Sequence, residues 1–252
     1  MVTSDNRFTA YLVLGLAGLI GGGTLLVFMV YLYIGPLKLV NLGLSESTIL
    51  CLDAFLCLLF FVQHSVMIRK SFLQRLARFL PSEFEAAFYA IVAGFVLLLL
   101  LVFWQESSYT IAAPQGILRW LLRAVYFLSL AVFAWGVWSL GKFDPFGIIP
   151  ILNHLRGTRK PAMPFIVCGP YRLVRHPWYI SLILMIWSYP NLTLDRLLFN
   201  VLFTAWMVIG TLLEERDLAA TFGNDYLAYQ QRVPMLIPYR LSLFRKPIED
   251  HD

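Results

Sequence analysis

The sequence GPYRLVRHPWY, residues 169–179, stands directly before an apolar run that extends to Tyr189. It places two arginines, one histidine and two prolines at the point where the chain becomes apolar. Charged side chains at the edge of a membrane span are costly to keep, and they commonly mark a functional site. A second charged group, Glu214-Glu215-Arg216-Asp217, closes the apolar region that begins here. Because the two ends of an apolar hairpin lie on the same side of a membrane, we expect these two charged groups to meet.

The composition of the whole chain indicates an all-α protein that crosses the membrane several times. Of its 252 residues, 59% are hydrophobic and 14% are charged, and the mean hydropathy is +0.71. Soluble domains carry about 25% charged residues. The net charge of +5 does not indicate a nucleic-acid partner, because the arginines lie in short loops where membrane topology explains them.

The hydrophobic runs predict a polytopic helical bundle with four full spans and a C-terminal helical hairpin. A membrane core about 30 Å thick needs about 20 apolar residues in a helix. Four runs meet this requirement, namely residues 9–34, 48–67, 86–104 and 116–140. Two shorter runs follow at 178–189 and 194–213, and the proline and asparagine between them indicate a tight connection. The first of these is short for a complete crossing, so the hairpin could span the membrane or enter it only in part.

This pattern divides the chain into N-terminal transmembrane helices (1–140) and a C-terminal core (141–252) with a polar loop, the hairpin and an amphipathic tail. Lys and Arg are concentrated in the loop after the second span, in the polar loop and in the tail. Cytoplasmic loops carry the excess of these residues, so we expect both termini in the cytoplasm. The three cysteines have neither a metal-site nor a disulfide spacing, and no metal is expected.

The charged groups of the hairpin have the chemistry of a ligand site. His176 precedes a helix that begins with Pro177, a favourable first residue, and the helix N-terminus suits an anionic part of a ligand. Alternatively, the arginines anchor the topology and His176 only caps the helix. Glu214 and Glu215 stand at the end of the predicted last span, where they oppose the helix dipole and need a cationic partner. That partner could be Arg172 or Arg175, in a simple salt bridge, or a cationic ligand.

Four tyrosines and a further histidine complete the candidate residues. The tyrosines near the charged groups could face a sulfonium or ammonium group with their rings, although aromatic residues at interfaces are common in any case. They are Tyr171, Tyr179, Tyr226 and Tyr229. His64 lies near the end of the second span and could act as a general base towards a thiol or hydroxyl acceptor. The alternative for His64 is a hydrogen bond to a neighbouring helix.

Several of these segments together resemble a known family. Residues 169–181, the Glu214-Glu215 pair, residues 222–229 and Val233-Pro234 resemble the integral-membrane methyltransferases, such as the isoprenylcysteine carboxyl methyltransferases and phospholipid N-methyltransferases. A further set of segments resembles the branch that holds the methanethiol S-methyltransferases and the NnrU-like proteins. These segments are 63–67, 103–105, 143–147, 214–218 and 233–238.

The resemblance implies a pocket for S-adenosylmethionine that opens to the cytoplasm. The positions that match cofactor-binding residues of the family are Pro164, Phe165, Ile166, Tyr171, His176, Pro177, Trp178, Tyr179, Glu214 and Glu215. We assign the catalytic roles to His64, as the base, and to Arg175, beside the cofactor motif.

Two positions depart from the family pattern. Members often have glycine where Ser181 stands, and the carboxyl methyltransferases have a substrate-contacting arginine where Gly210 stands. The missing arginine favours a thiol or another uncharged acceptor over a prenylcysteine carboxylate. We therefore expect methyl transfer from S-adenosylmethionine to a small or lipophilic thiol at the cytoplasmic face of a bacterial inner membrane, in contact with lipid. The alternatives are a non-enzymatic NnrU-like membrane subunit, and a methyltransferase that acts on a prenylcysteine or a lipid head group.

Overall fold

The computed structural model describes residues 4–141, 144–158 and 165–239. Almost all of the secondary structure in these residues is helical, which confirms the all-α prediction. The helices are α1 (Ser4–Leu16), α2 (Gly23–Ile34), α3 (Glu46–Met67), α4 (Lys70–Leu76), α5 (Glu85–Phe103), α6 (Gly116–Ser139), α7 (Ile148–Arg156), α8 (Pro177–Trp187), α9 (Leu194–Phe222) and α10 (Asn224–Arg232). A π-helical stretch, Ala17–Gly22, joins α1 to α2, and 3-10 turns at Ser82–Phe84 and Gly169–Arg172 precede α5 and α8.

Within the described residues, five helices are long and apolar enough to cross a membrane. They are Arg7–Ile34, Glu46–Met67, Ser82–Phe103, Gly116–Ser139 and Leu194–Phe222. The first four correspond to the four predicted runs within a few residues. α8 has only 11 residues, as expected for the short first arm of the hairpin. The number of complete crossings and the division of the chain at residue 140 stay predictions.

The end of the last long helix was predicted wrongly. The hydrophobic run ends at residue 213, but α9 continues as a helix of 29 residues to Phe222. The added turns contain Glu, Arg, Leu and Ala, which favour a helix as well as apolar residues do. α9 ends at Gly223, whose φ of +56° suits glycine. Glu214 and Glu215 therefore lie two turns inside the helix, and they do not face the unsatisfied carbonyls of its C-terminus.

An aromatic core joins α2, α3, α5 and α9. The rings of Phe199 and Phe203 stack with their centroids 4.2 Å apart, and Phe61 stacks on Trp206 at 4.8 Å. Close backbone contacts between the first helix and α5 tighten this core. A Cβ atom at Gly94 would lie 2.6 Å from the carbonyl oxygen of Ile20, so these two helices approach each other more closely than larger residues allow.

Buried polar contacts fix the end of the bundle where α5 ends and α9 begins. The carboxylate of Asp195 accepts hydrogen bonds from Trp104 Nε1 at 2.9 Å and from the Ser107 backbone N–H at 3.0 Å. A two-stranded antiparallel sheet, β1 (Thr110–Ala112) with β2 (Leu192–Thr193), ties the turn of the hairpin to the same loop. These contacts set the position of α9, whose other end carries the paired glutamates.

Candidate active site

Glu215 is the centre of a buried polar cluster at the opposite end of the bundle. Its carboxylate accepts two parallel bonds from Arg175, Nε to Oε1 at 2.8 Å and Nη2 to Oε2 at 2.7 Å. His176 Nε2 lies 2.6 Å from Oε1, the Tyr226 hydroxyl donates to Oε1 at 2.7 Å, and Gln230 Nε2 donates to Oε2 at 2.6 Å. We call these five residues the Glu215 cluster. Both oxygens of Glu215 therefore bind groups of the protein itself.

Arg175 connects the cluster to the C-terminal tail. Its Nη1 donates to the Gln230 carbonyl at 3.0 Å and also to the Val233 carbonyl. The backbone N–H of Arg175 donates to the Pro234 carbonyl at 2.9 Å. A guanidinium can satisfy several carbonyls and a carboxylate at once because its donors form a rigid planar fork. The donors of Arg175 thus hold the end of α10 and the following residues against the segment that precedes α8.

His176 lies between the two glutamates, as the hairpin prediction requires. The side chain is 5% exposed, and its Nδ1 lies 3.8 Å from Glu214 Oε2 while Nε2 contacts Glu215. It makes no side-chain hydrogen bond that caps α8, which begins at Pro177. The interpretation of His176 as a simple helix cap is therefore not supported, and the expected meeting of His176 with Glu214 is confirmed.

Glu214 differs from its neighbour because its side chain is 44% exposed. Tyr179 in the first turn of α8 is hydrogen-bonded to it, and Tyr171 lies within electrostatic range. Burial, with the nearby negative charge of Glu214, raises the pKa of Tyr171. Tyr171 therefore stays a neutral hydroxyl in the physiological pH range. One open carboxylate beside two phenol rings is an arrangement that can receive a cation.

Further aromatic side chains hold together the segments that carry the site. Phe165 packs on Phe222, Tyr226 and Tyr229 with ring centroids 5.2–5.8 Å apart. The hydroxyl of Tyr229 donates to the Tyr171 carbonyl at 2.5 Å, and burial raises the pKa of Tyr229. Both contacts bring α10 to the segment before α8.

The other predicted cofactor-binding residues that the structure describes differ in exposure and in packing. Trp178 packs against α6, where a Cβ atom at Gly136 would lie 2.5 Å from its Nε1. Pro177 is buried, whereas Ile166 is 60% exposed. Pro164 lies outside the described residues.

His64 lies near the end of α3 in a separate aromatic environment. The Tyr89 hydroxyl of α5 lies 2.8 Å from its Nδ1 and 2.9 Å from its Nε2. The rings of Phe60 and Trp206 pack against the imidazole at 5.4 and 5.0 Å. This contact agrees with the alternative of a hydrogen bond to a neighbouring helix. It leaves the question of a catalytic role open, because a positioned histidine can still accept a proton.

Two residues of these clusters were missed by the sequence reasoning. Tyr89 lies in an apolar span and carries no local signal that sets it apart from other interfacial tyrosines. Gln230 follows Tyr226 by four residues on α10, so both side chains lie on one face of the helix. That spacing could have indicated Gln230 once Tyr226 was a candidate.

A cavity of about 380 Å³ lies elsewhere in the molecule. Its lining includes Val13, Phe84, Phe88 and Ile91, with the Glu83–His154 ion pair at 2.9 Å. None of the lining residues belongs to the Glu215 cluster or contacts Glu214. The polar contacts described above, rather than this apolar cavity, identify the candidate active site.

Comparison with curated proteins points to one family. The chain is 36% identical over 202 residues to methanethiol S-methyltransferase of Pseudomonas sp. (strain GM41(2012)), which covers 79% of this chain and 76% of that relative. It is 32% identical over 183 residues to the methanethiol S-methyltransferase of Mycobacterium tuberculosis, covering 71% of this chain and 74% of the relative. Nurim of Rattus norvegicus is 28% identical over 184 residues, 66% of each chain.

No family model matches the sequence, and no solved structure matches it. The assignment therefore depends on the curated relatives. The alignments cover about three quarters of the length of these methanethiol S-methyltransferases, at more than 30% identity. The relatives above 30% identity share the name of a methyltransferase, and this chain has the helices of a membrane protein with a polar cluster at one end. The chain belongs to the family of the methanethiol S-methyltransferases, which are methyltransferases of the membrane-embedded type.

Proposed function

We propose that this protein transfers a methyl group from S-adenosylmethionine to a small thiol such as methanethiol. The names of the relatives support the thiol acceptor. The observation that carries the proposal is the contrast between two adjacent carboxylates. Protein donors saturate Glu215, whereas Glu214 is open beside Tyr171 and Tyr179.

The residues around Glu214 fit S-adenosylmethionine chemically. When bound, this cofactor supplies a methyl group on a positively charged sulfonium centre. A half-exposed carboxylate with phenol rings beside it favours a cation, through charge attraction and through the negative faces of the rings. The N-terminus of α8 lies next to Glu214 and favours an anionic group in its neighbourhood. Groups of both kinds in one place suit a ligand that carries both charges.

We assign different roles to the predicted site residues. Glu214, Tyr171 and Tyr179 contact the cofactor. Glu215 and Arg175 organise the site, because their polar atoms bind protein groups from α9, α10 and the segment before α8. His176 connects the two carboxylates and fixes the distance between them.

Phe165 and Ile166 cover one side of the site, with Phe165 anchored on α10 and the end of α9. Pro177 and Trp178 hold the first turn of α8 in place. The packing of Trp178 against Gly136 fixes that turn on α6.

The surface one turn before Glu214 fits a small uncharged acceptor. A Cβ atom at Gly210 would meet nothing within 4 Å, so α9 leaves open space there and supplies no positive charge to hold a carboxylate. A small thiol needs no such charge. It can reach the site from the membrane, because small apolar thiols partition into lipid.

We place the site end of the bundle, where α3 ends and α8 begins, at the cytoplasmic face of a bacterial inner membrane. The distribution of Lys and Arg supports this orientation. Both termini then lie in the cytoplasm.

Two measurements on purified protein in lipid nanodiscs test the proposal. Calorimetric titration with S-adenosylmethionine measures binding, and headspace gas chromatography measures dimethyl sulfide formed from methanethiol. We expect the wild type to show both. Glu214→Gln should weaken cofactor binding about 10- to 100-fold, because an interaction with a charged group contributes about 1.5–3 kcal/mol.

Glu46→Gln is the matched control. Glu46 accepts bonds from the Ser107 hydroxyl and the Ser108 backbone N–H, both at 2.8 Å, at the other end of the bundle. The control should bind the cofactor like the wild type. Equal binding by the wild type and Glu214→Gln would reject the proposed site. Cofactor binding without any thioether from methanethiol would instead favour another acceptor or the non-enzymatic alternative.

A further inference from the structure

His64 is held at the site end of the bundle by groups from three helices. Phe60 lies on α3 itself, Tyr89 comes from the second turn of α5, and Trp206 comes from α9. Tyr89 is the titratable group among these neighbours, and its hydroxyl lies within hydrogen-bond distance of the ring nitrogens. Three aromatic walls orient the imidazole and make its surroundings apolar.

Tyrosines also connect this histidine to the open carboxylate of the proposed cofactor site. Tyr179 is hydrogen-bonded to Glu214 and lies within electrostatic range of Tyr89. The polar groups therefore follow one another in the order Glu214, Tyr179, Tyr89, His64. The two groups between Glu214 and His64 in this order are Tyr179 of α8 and Tyr89 of α5.

The hydroxyl of Tyr89 is the polar group that fixes the position of the imidazole. It lies 2.8 Å from Nδ1 and 2.9 Å from Nε2 of His64, so it can bind the ring in either tautomer. A neutral imidazole has one N–H and one nitrogen with a lone pair, and the second of these can accept a proton.

We propose that Tyr89 positions His64 as the base that deprotonates the acceptor thiol. The inference rests on the proposed function. The S–H bond of the acceptor breaks, its proton forms a new N–H bond on His64, and the sulfur keeps the electron pair. The thiolate then forms a carbon–sulfur bond to the methyl group as the bond between that methyl group and the sulfonium sulfur breaks. The electron pair of the broken bond stays on the sulfur of the demethylated cofactor, which leaves as a neutral thioether. His64 returns its proton to solvent after the transfer.

The surroundings of His64 also define the acceptor class. An imidazole bounded by the rings of Phe60, Tyr89 and Trp206 offers apolar contact and one proton acceptor. This environment suits a small, uncharged, apolar thiol, whose S–H is the only proton that must leave. His64 is the catalytic residue in this proposal, and Tyr89 is a positioning residue.

The test compares Tyr89→Phe with Tyr126→Phe. Tyr126 is another tyrosine in a long helix, and its hydroxyl donates to the Met29 carbonyl at 2.7 Å, so this control loses a hydrogen bond of similar kind. We expect Tyr89→Phe to bind S-adenosylmethionine like the wild type while kcat for methanethiol falls about tenfold, the effect of one lost hydrogen bond. His64→Gln should lower kcat about 100-fold or more, the usual contribution of a general base. The control should keep the wild-type kcat and pH profile.

A second measurement does not depend on turnover. The chain has four histidines, so nitrogen-15 labelling of histidine gives a small set of imidazole signals in nanodiscs. Loss of a signal in His64→Gln assigns His64. Tyr89→Phe should change the nitrogen shifts of His64, because the hydroxyl that contacts its ring nitrogens is removed. Tyr126→Phe should leave them unchanged.

The outcomes separate this inference from the proposed function. If the wild type binds the cofactor and methylates the thiol, but Tyr89→Phe keeps the wild-type kcat and His64 shifts, the inference is wrong and the function stands. Loss of cofactor binding in Tyr89→Phe would also overturn it, since Tyr89 would then serve the donor site. If the wild type neither binds nor methylates, the proposed function fails. Unchanged His64 shifts in Tyr89→Phe would still reject the positioning role.

Discussion

Replacement of Glu215 by alanine should release the C-terminal tail from the membrane bundle. The substitution removes the acceptor of Arg175, His176, Tyr226 and Gln230 at once. The side chains of Arg175 and Glu215 are only 10% and 9% exposed, so the guanidinium would be left largely buried without its carboxylate. Removal of one partner of a buried ion pair destabilises a protein by about 3–5 kcal/mol.

The adjacent residue provides the comparison. Glu214→Ala removes a carboxylate that is nearly half exposed, where an ion pair contributes about 0–1 kcal/mol. We therefore expect Glu215→Ala to lose several times more free energy of unfolding than Glu214→Ala, although both remove a glutamate from neighbouring positions on α9. Cofactor binding should fall in both variants, for different reasons.

Hydrogen–deuterium exchange with mass spectrometry in nanodiscs locates the effect. In Glu215→Ala, exchange should rise at the backbone of α10 and residues 233–239, since Arg175 no longer holds their carbonyls. Exchange in α3 and α5 should stay as in the wild type, because the aromatic core does not include the Glu215 cluster. The reasoning fails if tail exchange is unchanged in Glu215→Ala, or if it rises equally in Glu214→Ala.

Two further predictions concern other parts of the structure. Asp195→Ala leaves the buried N–H groups of Trp104 and Ser107 without their acceptor, and should lower the free energy of unfolding by about 2–4 kcal/mol. A thermal-unfolding series should show this loss while calorimetry gives wild-type cofactor affinity; lost affinity at unchanged stability would contradict it. Burial and the bond to Glu215 raise the pKa of Tyr226, so the folded state keeps this proton while the unfolded state loses it near pH 10. The stability advantage of the wild type over Tyr226→Phe, about 1 kcal/mol, should be constant between about pH 7 and 9 and shrink above about 10; a decline that begins near pH 7 would refute it.

The helical bundle could be predicted from the sequence because each membrane-spanning helix needs a long run of hydrophobic residues. Each of the four predicted runs corresponds to a long helix, and the short first arm of the hairpin appears as α8. The extent of α9 could not be read in the same way. Hydropathy falls at Glu214, but the backbone continues its hydrogen bonds to Gly223, since polar helix formers propagate a helix outside the apolar layer.

The pair of charged groups was also predictable, but the difference between the two glutamates was not. Successive residues of a helix point about 100° apart. Only one of two neighbours can then face α10 and the segment before α8, and the rotation of α9 decides which. That rotation depends on packing of Phe199 and Phe203 several turns away, which no local pattern around Glu214 records. Tyr89 was missed for a related reason, since its partner His64 lies 25 positions earlier in the chain.

The Glu215 cluster holds α10 and the segment before α8 in place, which the aromatic core of the membrane helices does not do. α10 and the segment before α8 lie outside the aromatic core, and they pack on each other through a smaller set of side chains, such as Phe165 on Tyr226 and Tyr229. A single saturated carboxylate holds both segments, with the Tyr229 hydroxyl bond to Tyr171 as a second link. The carboxylate of Glu215 binds protein donors, whereas the carboxylate of Glu214, on the same turn of α9, can face a ligand. The site can therefore lose its structure while the bundle remains folded. For this reason hydrogen–deuterium exchange at the tail, rather than global unfolding, reports on the integrity of the proposed active site.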